Sequence, residues 1–280
     1  MSYGFAFWRP TITQQRQLVQ ILAVPLRRAL GLHKSASAVE SLWECAVPSI
    51  RTIRLRCILQ SVNRARNSAI NGNDMPRLLH QDLTAEEPEA KSAVYCRSLR
   101  SELQDIQDSF PLAKQFPLDK KRIQSIVNDS MSREWHATAK PRARALKPGI
   151  QVPRYIQSDR KPTLCIRARL RRGVALVPKR LHIYGHRATA LCVCNEEIGD
   201  TAHVLMRCKN FQQARTMCAD ELRELGARVE LNLDVCLGCT PKELLPHIQR
   251  GETFIVDLFS DCVLRITGKF LRSINDSMFL

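Results

Sequence analysis

Apolar residues recur at helical spacing along most of the chain. Leu18, Ile21, Leu22, Leu26, Ala29 and Leu30 mark one side of a helix over residues 13–30, and Gly31 ends the run. Pro25 falls inside that pattern, where a kink is expected at a cost of about 3 kcal/mol in an unrelieved interior. Ser37-x-x-Glu40 is a capping box and predicts a short second helix that stops before Pro48. A third helix, over residues 50–66, carries Ile50, Ile53, Cys57, Ile58 and Val62 on one side. Arg51, Arg54, Arg56, Arg64 and Arg66 decorate the rest of it. Further helices are predicted over residues 91–108, 118–137 (ending near Trp135), 208–226 (ending at Gly226), 241–249 and 252–274. The last has Phe254, Ile255, Leu258, Phe259, Cys262, Ile266 and Phe270 on its apolar face. Val229 to Leu233 alternates and predicts a short strand.

Between these elements the composition changes. Residues 67–90 are polar and read as a linker. Residues 138–163 hold Pro141, Pro148, Pro153 and Pro162 among basic residues, which predicts an extended, mobile connector. No internal repeat is found. The expectation is a mainly α chain with three parts. Residues 1–66 form a helical segment, 67–163 a linker with helices, and 164–280 a basic helix followed by a small helical metal-binding module.

The chain has 280 residues, enough for one large or two ordinary domains, and its 44% apolar content is that of a globular protein. It has no run of eighteen apolar residues, so no membrane-spanning helix is expected. The opening residues, MSYGFAFWRP, lack the basic start and apolar block of a signal peptide. Eleven cysteines without such a signal predict a reducing, intracellular setting in nucleus or cytoplasm, with free thiols and a metal site rather than disulfides.

Charge changes the picture most. The formal net charge is +16, and it is unevenly spread. Residues 1–190 carry 33 Lys and Arg against 14 Asp and Glu, whereas residues 191–280 carry 10 against 13. The stretch 140–187 holds 14 basic residues and Asp159 as its one acid. Such a block attracts a polyanion, RNA or DNA by default, through its phosphates. Arg167, Arg169, Arg171, Arg172, Lys179, Arg180 and Arg187 are the candidate contacts, the first four on one predicted helix. The alternative is a solvated basic linker. Nothing suggests a membrane or a small-molecule substrate as partner.

Directly after the basic block come Cys192, Cys194, His203 and Cys208. Three thiolates and one imidazole within seventeen residues make a complete ligand set for one tetrahedral zinc. Cys192 and Cys194 can grip from a single turn, and Asn195 tolerates the left-handed backbone that such a turn needs. A helix starting near Thr201 would put His203 and Cys208 about one turn apart. Chance clustering of reduced cysteines is the competing explanation. Cys236-x-x-Cys239 is a second pair with no partner pair close by and reads as structural, and the remaining histidines, His186 included, read as surface residues.

Two segments together resemble the C-terminal part of the reverse transcriptase of non-LTR (LINE-type) retrotransposons. The first is Tyr3-Gly4, Trp8, then LRRALGLHKSASAVESLWECAVPSIRTIRLR (26–56), which looks like the thumb region that follows the polymerase palm. The second is Leu164, Arg167-x-Arg169-Leu-x-x-Gly173, Tyr184-Gly185, Cys192-x-Cys194, His203-Val-Leu and Cys208, which looks like the zinc-binding region of that family. Asn195 stands where the family has Gly, and Thr201 lies closer to the histidine than in its pattern. The resemblance implies zinc at the four ligands and a role in holding template RNA or target DNA. It implies no polymerase activity on this chain. The chain begins after the palm, and it has no Tyr-x-Asp-Asp and no adjacent aspartate pair to hold two catalytic metal ions. Two further readings stay open: a stand-alone binding protein derived from such an element, and a degenerate product with no activity.

Overall fold

A computed structural model describes residues 10–70, 93–114, 117–225, 229–241 and 244–279. The Tyr3-Gly4 and Trp8 positions, most of the expected 67–90 linker and Gly226 lie outside these residues. The chain divides into two units. One comprises residues 1–22 and 47–138, the other residues 23–46 and 139–280. This division cuts across the three parts expected from sequence.

The described residues form helices and no named strand, so the mainly α expectation holds. Helix α1 runs Ile12–Ala29 with Pro25 inside it, α2 is Ala38–Glu44, and α3 is Ile50–Ile70. The capping box is realised at its first half: the Glu40 backbone N–H donates to Ser37 Oγ at 3.3 Å. Then follow α4 (Ala93–Ser109) and α5 (Lys120–Thr138).

In the first unit α3 and α5 run antiparallel. Asn63 exchanges hydrogen bonds with the backbone of Leu118 at one end, and Ser49 donates to Glu134 at the other. Cys57, Ile58 and Val62 of α3 meet Leu99 of α4 in a small apolar cluster. Ile126, Val127, Met131 and Trp135 form the buried side of α5.

The second unit contains α2 and every element after residue 139. The expected extended connector is instead partly helical: α6 is Pro141–Leu146 and α7 is Arg154–Ser158, with Tyr155 fully buried. Then come α8 (Lys161–Arg171) and α9 (Pro178–Ile183). The helix expected over 208–226 forms but starts later. A π-helical turn occupies His203–Arg207, Cys208 is non-helical, a 3-10 turn covers Lys209–Phe211, and α10 runs Gln212–Glu224. No strand forms at 229–233; a short helix α11 (Leu233–Cys236) starts there, capped by Asn232. Helices α12 (Leu245–Gln249) and α13 (Thr253–Phe279) complete the chain. Helix α13 is the spine: Val263, Ile266, Phe270, Leu271 and Ile274 join Leu170, Leu205, Phe211, Cys218 and Leu222 in one core. None of the described helices is long and apolar enough to cross a membrane.

Candidate metal centre

The site is built on a small hairpin and a π-turn. Leu191 and Ile198 pair in an isolated antiparallel bridge, and the hairpin closes with Cys192 N–H to Glu197 O and Asn195 N–H to Cys192 O, both 2.9 Å. Asn195 takes the left-handed conformation with φ of 62°, which an asparagine tolerates better than most residues. Side chains alternate along the hairpin, so Cys192 and Cys194 are buried while Leu191 and Val193 are exposed.

The other two ligands come from the next segment. Asp200 caps it, its carboxylate accepting from the His203 N–H at 2.8 Å. The Cys208 N–H donates to the His203 carbonyl at 2.8 Å, a bond spanning five residues. In a regular α-helix, positions five apart point to different faces. The wider π-turn brings them back to one side. Sequence spacing alone predicted an ordinary helical turn here and missed this device.

The four ligand atoms lie within 4.8 Å of one another. Cys192 Sγ is 3.5 Å from Cys208 Sγ, and Cys194 Sγ is 3.2 Å from His203 Nε2. All four residues are buried. This cluster could hold a metal ion. His203 Nδ1 meets the Glu197 carboxylate at 3.0 Å, leaving Nε2 toward the thiols. Arg207 also donates to Glu197, at 3.0 and 3.2 Å, and these two neighbours hold the carboxyl of Glu197 below its ordinary range.

The thiols are unequal. The Glu196 backbone N–H, and then His203, pull the Cys194 thiol down to about 7. Burial pushes the Cys208 thiol up to about 12. A dication would replace those protons and remove the difference. Cys236, Cys239 and His186 stand outside the cluster.

The basic candidates separate into two classes. Arg167 is 0% exposed and Arg171 4%. Arg167 donates to Asp159 at 2.8 Å and to the carbonyls of Cys236 and Leu264. Arg171 donates to Glu44 at 2.7 Å and to the carbonyls of Leu237 and Leu146, at 2.9 and 3.0 Å. Its guanidinium also lies over the ring of Tyr155, whose hydroxyl donates to Glu44 at 2.8 Å. These two arginines satisfy C-terminal carbonyls of α6 and α11 rather than meeting solvent. The expectation that they contact phosphates is corrected accordingly. Arg172 pairs with Glu40, and Arg169 is half-buried and donates to the Gly31 carbonyl at 2.7 Å. Both are committed in part to the fold. Lys179 is exposed, and Arg180 and Arg187 are partly so. The backbone N–H of Lys179 donates to Gly199 O at 3.1 Å, which places Lys179 beside the metal hairpin.

No protein-family model, curated protein or solved structure matches the chain.

Proposed function

We propose that the second unit is a zinc-dependent nucleic-acid-binding module, of the kind that the C-terminal region of a non-LTR retrotransposon reverse transcriptase carries, and that it acts through binding rather than polymerase chemistry. The observation that carries the reading is the buried quartet of Cys192, Cys194, His203 and Cys208 beside a basic stretch, 140–187, with one acid among 14 basic residues. Three thiolates with one imidazole suit zinc: soft ligands, a closed four-ligand set, and a histidine oriented by Glu197. Zinc bound there would be structural, holding the hairpin against the π-turn. Lys179, Arg180 and Arg187 would then meet phosphates from an ordered surface.

The test has two parts. Metal analysis of the purified chain is expected to give one zinc; less than half an equivalent contradicts the reading. A salt titration of RNA and DNA binding is the second part. If Lys179, Arg180 and Arg187 each neutralise a phosphate, log K falls against log salt with a slope of about −2 on single strands and about −2.7 on duplex DNA. Lys179→Ala is expected to flatten the slope by about one contact and weaken all sequences alike. Binding that ignores salt, or no binding at low salt, would leave these cations as solubilising surface charge.

A further inference from the structure

We infer that the turn following α9 is a base-stacking platform, and that the preferred ligand is therefore single-stranded nucleic acid; this rests on the phosphate-binding reading above. Tyr184 is 46% exposed, within an acid-free run from Arg160 to Asn195. The ring is thus presented to solvent within a run of cations. Its neighbours extend it. The Arg180 guanidinium lies over the ring at 4.9 Å from the centroid, and its Nε donates to the Tyr184 hydroxyl at 2.9 Å. His186 sits edge-on to the ring, 6.5 Å between centroids and 71° between planes. A half-buried planar cation, an exposed aromatic ring and an exposed imidazole thus form one group. Nucleobases stack on aromatic rings and on guanidinium planes, whereas a duplex keeps its bases stacked on one another.

The backbone holds this group in a fixed arrangement. Helix α9 ends in a paired closure, the Gly185 N–H donating to His182 O at 3.0 Å and the His186 N–H to Leu181 O at 2.8 Å. The closure needs a left-handed residue, and Gly185 supplies it with φ of 75°. His182 Nδ1 lies 3.0 Å from the Arg187 carbonyl and pins the far side of the turn. Tyr184 and His186 flank that glycine, so their backbone positions are set before any ligand arrives. Ordering costs on binding are correspondingly small. Lys179, near the other end of the same short helix, is exposed and extends the positive surface beyond the turn.

The experiment is fluorescence anisotropy on the full chain, with a labelled mixed-sequence single strand and the same sequence as a duplex. Wild type, Tyr184→Ala, Tyr184→Phe and Lys179→Ala are compared across salt. Tyr184→Ala is expected to weaken single-strand binding about fivefold or more, the contribution of one stacked base, without changing the salt slope. Duplex binding should stay as in wild type, and Tyr184→Phe, which keeps the ring, should bind the single strand nearly as wild type does. Lys179→Ala should change the slope on both ligands. Zinc content confirms that each variant is folded. If Tyr184→Ala leaves single-strand affinity intact, or weakens duplex and single strand equally, the stacking platform is wrong and the phosphate reading stands. If the wild type binds neither ligand at low salt, both fall.

Discussion

Arg171 Nε lies 2.7 Å from Glu44 Oε1, and both side chains are almost wholly buried. The pair joins the last turn of α8 to the last residue of α2. Charges removed from water are costly, and here further partners answer them: the Leu237 and Leu146 carbonyls for the guanidinium and the Tyr155 hydroxyl for the carboxylate. Glu44→Ala would leave a buried cation without its partner and is expected to destabilise the second unit by about 3–5 kcal/mol. Arg171→Lys should be nearly as damaging, because an ammonium cannot span the same forked set of acceptors. Chemical denaturation measures both; losses below about 1 kcal/mol would mean that water reaches the pair.

Metal binding should depend steeply on pH. Burial holds the Cys208 thiol protonated, up to about 12, so at least that proton leaves when a metal ion binds. Affinity is therefore expected to rise with pH, by about tenfold or more per unit between pH 6 and 8. Calorimetry in buffers of different ionisation enthalpy counts the protons released. Cys208→Ser should abolish stoichiometric binding, and a binding constant unaffected by pH would exclude thiol ligands.

The hairpin leans on α9 with no room to spare. A Cβ on Gly199 would lie 2.6 Å from Pro178 Cβ, 2.7 Å from its Cγ and 3.1 Å from the Cys192 backbone. The proline ring cannot swing away. Gly199→Ala should push the hairpin off its support, carrying Cys192 and Cys194 with it, and lower metal affinity at least tenfold. Competition against a chromogenic chelator reads this directly; an unchanged affinity would show that the hairpin positions its thiols alone.

Lys147 is buried and donates to the carbonyls of Trp43 and Glu44. Burial lowers its pKa to about 8, with Glu44 opposing and Arg171 adding to the fall. Below pH 8 the ammonium is charged in both folded and unfolded chains. Between about 8 and 10.5 the unfolded chain holds the extra proton, so stability rises with pH through that window. Against Lys147→Met, the wild type should gain on the order of 2–3 kcal/mol from pH 8 to pH 10.5. Parallel curves for the two proteins would place the ammonium in contact with solvent.

Helix positions and the metal quartet were legible because both follow local spacing. The apolar rows of residues 13–30 and 50–66, the stop at Gly31 and the four ligands fall where the pattern puts them. The helices of the connector are hidden because proline marks an extended chain and a helix start alike. Pro141, Pro162 and Pro178 open helices, where the missing N–H costs nothing, and Pro153 precedes another. The burial of the α8 arginines is hidden for a different reason. A helical pattern registers arginine as solvent-facing, and nothing local shows that the acid answering Arg171 is 127 residues away. The π-turn is invisible for a similar reason: its signature is a single hydrogen bond, not a composition.

That distance has a meaning in time as well as in space. A ribosome adding about 5–20 residues per second completes Glu44 some 6–25 seconds before Arg171 exists. Throughout that interval the Glu44 carboxylate lacks the guanidinium that it meets in the finished unit. The buried pair between α2 and α8 can therefore close only late in synthesis, after the whole first unit has left the ribosome's active site.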